Sequence, residues 1–107
     1  MQYIKQYDNN QFEVYTEGDN NHFSDLPKAK QEQVLSWIEA NIFPIKTPLM
    51  KRSSKGMKHI LHSKTGIYLS NNQFKEAMLM CGFEPVDPSQ WSWHFGISKK
   101  SPIFHIS

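Results

Sequence analysis

The stretch TGIYLSNNQFKEAMLMCGF, residues 65–83, decides how the chain is read. Ser70 followed three residues later by Gln73 is a capping-box pattern, in which a hydroxyl and an amide side chain satisfy backbone donors reciprocally. Phe74, Ala77, Met78 and Cys81 recur at helical spacing. The expectation is a helix that opens at Ser70, turns its apolar stripe inward and stops at Gly82. Its other face then carries Asn72, Lys75, Glu76, Leu79 and Met80 outward. That set is half suited to a nucleic-acid groove and half to a protein surface. Ile67-Tyr68-Leu69, too short for a helix, is expected as a small buried strand.

Working towards the N-terminus, Gly66 supplies the stop of a second helix over about 54–63. Ser53 and Ser54 cap it, and Met57, Ile60 and Leu61 form its buried stripe. Residues 43–52 contain two prolines and no periodicity, which reads as an extended connector. Before it, Val34, Leu35, Ile38 and Ile42 predict a first helix over 26–41, with Trp37 extending its buried face and Pro44 beyond its end. Residues 3–7 and 11–15 are short aromatic-rich runs around Asp8-Asn9-Asn10, the pattern of a hairpin or arm. Towards the C-terminus, Trp91, Trp93, Phe95 and Ile97 alternate with small or polar residues as in a half-buried strand, which would form a two-strand hairpin with residues 83–86.

Helix, helix, short strand, helix and hairpin is the order of a winged helix-turn-helix, an α+β fold of three helices and a small antiparallel sheet. The expected organisation is an N-terminal hairpin or arm over 1–23 and a winged-helix domain over 24–107. The segment GIYLSNNQFKEAMLMCGFEPVDPSQWSWHFGISKKSP, residues 66–102, resembles small winged-helix-like proteins of phages and integrative mobile elements of Gram-positive bacteria. The resemblance spans about half the chain, Ser53 to Pro102. It rests on Tyr68, Asn71-x-x-Phe74, Gly82-Phe83 and Trp93-x-x-x-Ile97. It implies a mobile-element protein in the cytoplasm of a bacterial host. Some proteins of such elements inhibit host defence nucleases, including RNA-guided CRISPR effectors, so an anti-CRISPR-like inhibitor is the alternative function.

At 107 residues the chain fits one core. The first seven residues lack the apolar run of a signal peptide, and no stretch has the length of a membrane span. Cys81, the single cysteine, lies on the apolar helical face and reads as a small buried hydrophobe. The net charge of +2 conceals a segregation. Residues 1–39 carry −4, residues 40–75 carry +7 with no acid at all, and residues 76–107 carry −1. A basic segment of this kind is the electrostatic footprint of a polyanion partner. Opposite surfaces on one chain would also allow it to pair with itself as a homodimer.

These features predict a non-catalytic protein that binds double-stranded DNA or another nucleic acid. Lys46, Lys51, Arg52, Lys55 and Lys58 would hold phosphates. Asn71, Asn72 and Lys75 would lie at the reading helix, and Lys99 and Lys100 would flank the wing. Leu79, Met80 and Glu76 are the candidates for contact with a host nuclease or other protein partner. No cofactor is expected, because phosphate-cradling glycine loops, nucleophile elbows and carboxylate clusters for magnesium are missing from the sequence. His59-x-x-His62, with Cys81, His94 and His105 dispersed elsewhere, lacks the paired spacing of a zinc site.

Overall fold

A computed structural model describes residues 3–44 and 51–105 of the chain. Asn9 and Asn10 take up φ of 64° and 58°, the left-handed region that asparagine tolerates best among residues with a Cβ. They turn β1 (Ile4–Tyr7) back against β2 (Gln11–Val14), antiparallel, with Ile4 opposite Val14 and Tyr7 opposite Gln11. Val14 is buried and its neighbours Glu13 and Tyr15 are exposed, the alternation of a half-buried strand. A 3-10 turn at Phe23–Asp25 leads into α1 (Lys28–Asn41), whose Val34 and Ile38 enter the core. The helix starts two residues later than its periodicity predicts, because Leu26 precedes Pro27 and is held extended.

Next come β3 (Lys51–Ser53) and α2 (Ser54–Thr65). The Ser53 hydroxyl accepts from Gly56 N at 3.2 Å, and Gly66, at φ 76°, closes the helix with its N–H on the His62 carbonyl. Helix α3 (Asn71–Met80) has the predicted capping box: Gln73 N donates to Ser70 Oγ at 3.3 Å, and Ser70 N donates to Gln73 Oε1 at 2.9 Å.

The sheet differs from expectation. Strand β4 (His94–Gly96) pairs not with a preceding hairpin arm but with β3, Lys51 opposite Gly96 and Ser53 opposite His94. Towards the run after α3, Phe95 makes only an isolated bridge, to Pro85, and Ile97 bridges Pro44. Pro85 and Pro88 offer no N–H to a ladder, so the run after α3 cannot serve as a full partner strand. The supposed connector takes that place. Residues 67–69 are extended but lie in no ladder; Ile67 and Leu69 turn inward and Tyr68 turns out. Of the four alternating residues near the C-terminus, Trp93, Phe95 and Ile97 are buried, whereas Trp91 is 54% exposed. The fold is thus α+β, with three helices and two two-stranded antiparallel sheets among the described residues.

Helix α3 lies at the centre. Its apolar side meets α1 and α2, and its opposite side meets β2 and the Phe23–Asp25 turn. Every residue from Asn71 to Leu79 is buried. The expected outward face of Asn72, Lys75, Glu76 and Leu79 is therefore an interior face, covered by the N-terminal segment. Met80 is half-buried. Packing of Phe74, Met78 and Leu79 supplies about 1.5–3 kcal/mol each relative to exposure. Because the cap opens a helix that four other elements pack against, Ser70→Ala should lower unfolding free energy by about 1 kcal/mol. Urea denaturation followed by circular dichroism would measure this, and an unchanged midpoint would contradict the cap's role.

Candidate nucleic-acid interface

A buried helix with five polar side chains along its length needs partners for them, and residues 10–23 supply most of these. Gly18, at φ 84°, closes a tight turn in which Asp19 N donates to the Thr16 carbonyl. The turn brings the Asp19 carboxylate to the start of α3, where Oδ2 accepts from Asn72 N at 2.8 Å. The Asn72 amide returns a bond from Nδ2 to the Asp19 carbonyl at 2.9 Å. A carboxylate at this end of a helix also complements the helix dipole. At the other end, the hairpin tip reaches the last turn: Asn10 Nδ2 donates to the Met80 carbonyl at 2.8 Å.

Between these ends sits Glu76, with none of its surface exposed. Oε2 accepts from Val14 N at 2.8 Å and pairs with His22 Nδ1 at 2.7 Å, while Oε1 accepts from Phe23 N at 2.6 Å. The bond to Glu76 raises His22 above its ordinary value. Burial pushes the Glu76 carboxyl up, against the pull of His22 and the two backbone donors towards the ionised form. Asp19 is held below the ordinary carboxylate range: burial works to raise it, and the combined bonds from Asn72, Asn21 and Ser70 outweigh that.

Lys75 is 1% exposed, with Nζ donating to Thr16 Oγ1 at 2.9 Å and to the Trp91 carbonyl at 2.7 Å. The ammonium lies 4.9 Å from the centroid of the Trp93 ring, a cation–π distance. Burial brings its pKa down to about 8. Lys75 and Asn72, expected to read bases from an exposed helix, are thus committed to structure. Asn71 is buried beside them, as are Leu79 and Glu76, drawn earlier as contacts for a protein partner. For Asn72, Lys75, Glu76 and Leu79 the physical reason is common: the N-terminal segment occupies the face they were expected to present.

A group of cations remains outside on α2. Lys55, His59 and His62 are exposed and Lys58 is half-buried on the same helix. Tyr68, 69% exposed, stands beside them. The Lys58 ammonium lies 5.5 Å from the centroid of the Tyr68 ring, and the His62 ring meets it edge-on at 5.6 Å. Burial lowers Lys58 from its ordinary value, opposed by the charge of Asp19 and reinforced by that of Lys55. Tyr68 is the residue that local reading missed. Its signal was the alternation Ile67-Tyr68-Leu69, which places the ring on the side opposite two core residues whether or not the segment joins a sheet. Lys99 and Lys100 are exposed three and four residues beyond Gly96, which the β3–β4 register sets beside Lys51. Lys46 and the side chains of Lys51, Arg52 and His105 lie outside the described residues.

Cys81 contacts the Leu35 carbonyl through Sγ at 3.9 Å, and burial pushes its thiol up to about 12, well away from thiolate chemistry at neutral pH. Among the described residues, no group of three or more His, Cys, Asp and Glu is placed to hold a metal ion. No described helix is long and apolar enough to cross a membrane. Comparison with protein-family models, with curated proteins and with solved structures finds no match to this chain.

Two outcomes follow from the buried charges. Glu76→Ala would leave the Val14 and Phe23 N–H groups and the His22 ring without their acceptor, and should cost about 3–5 kcal/mol. Glu84→Ala, at an exposed site, should cost less than about 0.5 kcal/mol. Equal denaturant midpoints for the two variants would refute the role given to Glu76. Lys75 titrates near 8 when folded and near 10.5 when unfolded, so its favourable contribution is complete above pH 10.5 and is lost as pH falls through 8. Stability relative to Lys75→Met should therefore climb between pH 8 and 10.5, with a slope of at most about 1.4 kcal/mol per pH unit. Parallel pH profiles for the two proteins would show that the ammonium is not buried as described.

Proposed function

We propose that this chain is a non-catalytic nucleic-acid-binding protein that holds its ligand on the outer face of α2. The observation that carries the reading is the exposed Tyr68 ring with Lys58 and His62 against it and Lys55 and His59 on the same helix. Cations on a helical surface neutralise phosphates, and an exposed aromatic ring offers a platform on which a base of any identity stacks. The combination favours single-stranded or locally unpaired nucleic acid over a fully paired duplex.

Three helices and a small antiparallel sheet are compatible with a winged-helix-like arrangement, in which β3–β4 would take the place of the wing. In the usual version of that arrangement α3 would be the reader. Here α3 is covered, and α2 carries the exposed charge. The protein-partner surface drawn on Leu79, Met80 and Glu76 is not carried forward, because Leu79 and Glu76 are buried.

Fluorescence anisotropy with short labelled single strands and the matching duplex, over a salt series, tests the assignment. The single strand should bind more tightly. Lys55→Glu combined with Lys58→Glu should abolish binding at moderate salt, and replacing both lysines by Ala should reduce the log–log salt slope by about 1.4. Tyr68→Ala should weaken single-strand binding by about tenfold or more while leaving duplex binding nearly unchanged. Unchanged affinity in the charge-reversed protein, with its circular dichroism intact, would remove α2 as the interface.

A further inference from the structure

Two exposed aromatic rings meet away from α2. Trp91 is 54% exposed and Tyr15 49%, and with Tyr3 they wall a hollow of about 350 Å³ between the end of the N-terminal hairpin and the loop before β4. That volume is at the small end of the roughly 300–1,000 Å³ typical of small-molecule clefts. The backbone behind the rings is fixed. Tyr15 N donates to the Tyr3 carbonyl at 2.9 Å, one residue pair beyond Ile4 and Val14. The Trp91 carbonyl accepts from Lys75 Nζ at 2.7 Å, and the turn before it is tied by Asp87, whose Oδ1 accepts from Ser89 N at 3.0 Å and Ser89 Oγ at 2.6 Å. Neither Tyr15 nor Trp91 makes a ring contact among the described residues, so both keep apolar area for a ligand. Glu17, Ser89 and Gln90 line the same hollow and are exposed. Glu17 has no hydrogen bond or ion pair among the described residues, and Gln90 spends Nε2 on Asp87 Oδ2 at 3.4 Å, which leaves a carboxylate and an amide oxygen to accept. Lys75 lines the hollow as well, but its ammonium is buried and already bonded to Thr16 Oγ1 and the Trp91 carbonyl. Its charge opposes a cation and that of Glu17 opposes an anion, so the hollow selects a neutral ligand.

We propose that this hollow binds a neutral saccharide, a pyranose whose ring substituents are equatorial, as in β-linked glucose units. Such a ring has axial C–H groups on both faces and hydroxyls around its edge. The C–H faces cover the Trp91 and Tyr15 rings, and the edge hydroxyls donate to the Glu17 carboxylate and to Gln90 Oε1. A nucleobase would cover the rings too, but its phosphate would face Glu17 and the Asp87 carboxylate that Ser89 and Gln90 bond. The site is independent of the reading given to α2, since none of the residues lining it belongs to that helix.

The test is an NMR titration of the full chain with cellobiose, a β-linked glucose disaccharide. Glycerol, which has hydroxyls and no ring face, and adenosine, which has a base, are titrated beside it. Cellobiose should shift the Trp91 indole N–H and the backbone amides of Ser89 and Gln90 in a saturable way, and glycerol should not. Trp91→Ala removes an exposed ring and keeps the carbonyl that Lys75 uses, so the spectrum of the core should be unchanged while cellobiose binding falls by about tenfold or more. Glu17→Gln should weaken cellobiose by about tenfold, the loss of a charged acceptor for a hydroxyl. No saturable shift with cellobiose, an equal response to glycerol, unchanged affinity in Trp91→Ala, or tighter binding of adenosine at the same resonances would overturn the proposal. Strand binding measured in parallel should be the same in Trp91→Ala as in the parent protein. Weaker strand binding in that variant would assign the ring to the nucleic acid and refute the saccharide site.

Discussion

The Glu76 carboxylate collects three donors, from Val14, His22 and Phe23, that lie 53 to 62 residues earlier in the chain. Two of them are backbone N–H groups at the end of β2 and the start of the 3-10 turn, so their positions are fixed by this one side chain. Once they are fixed, Val14 and Phe23 enter the core, the hairpin lies along α3, and the Asp19 turn reaches the start of that helix. A buried carboxylate is a poor source of net stability, because desolvation offsets most of its attraction to a cation. Its effect is on register. A shift of the N-terminal segment by one residue would leave a charge and two amide groups unpaired in the interior, and that penalty excludes the alternatives.

Local features of the fold were legible in the sequence because their causes are local. The Ser70–Gln73 capping box, the Ser53 cap, the glycine stop at Gly66 and the asparagine turn at residues 8–10 depend on neighbours within four residues. What covers α3 was not legible by the same means. On a helical wheel, Asn72, Lys75 and Glu76 read as a solvated face, and their partners stand more than fifty residues away or, for Lys75, partly in the Trp91 carbonyl. One long-range signal was present. The first third of the chain is acidic and the middle third has no acid, and the two meet in space where Asp19 binds the start of α3 and lies near enough to act on Lys58. The sheet was misread for a related reason: Pro85 and Pro88 weaken the nearer strand, and the partner that replaces it precedes two helices.

Covering α3 also sorts the cations by role. Lys75 is fixed inside by a hydroxyl, a carbonyl and an indole face, with a lowered pKa, while Lys55 and the exposed histidines of α2 keep their contact with water. An interior amide network makes the chain rigid where a groove reader would need free amide edges. The α2 face has point charges and the exposed Tyr68 ring beside them, groups suited to a phosphate chain and a base face without distinguishing sequence.

Asp19 joins the two halves of this arrangement. Its carboxylate is held ionised by bonds from Asn72, Asn21 and Ser70, and the same charge supports the ammonium of Lys58, which burial would otherwise lower further. The clasp around α3 and the α2 face are therefore coupled electrostatically. Loosening the 16–19 turn would withdraw a negative charge from Lys58 and uncover Asn72 in one movement. The order of the N-terminal segment thus bears on the charge of the α2 face as well as on the integrity of the core.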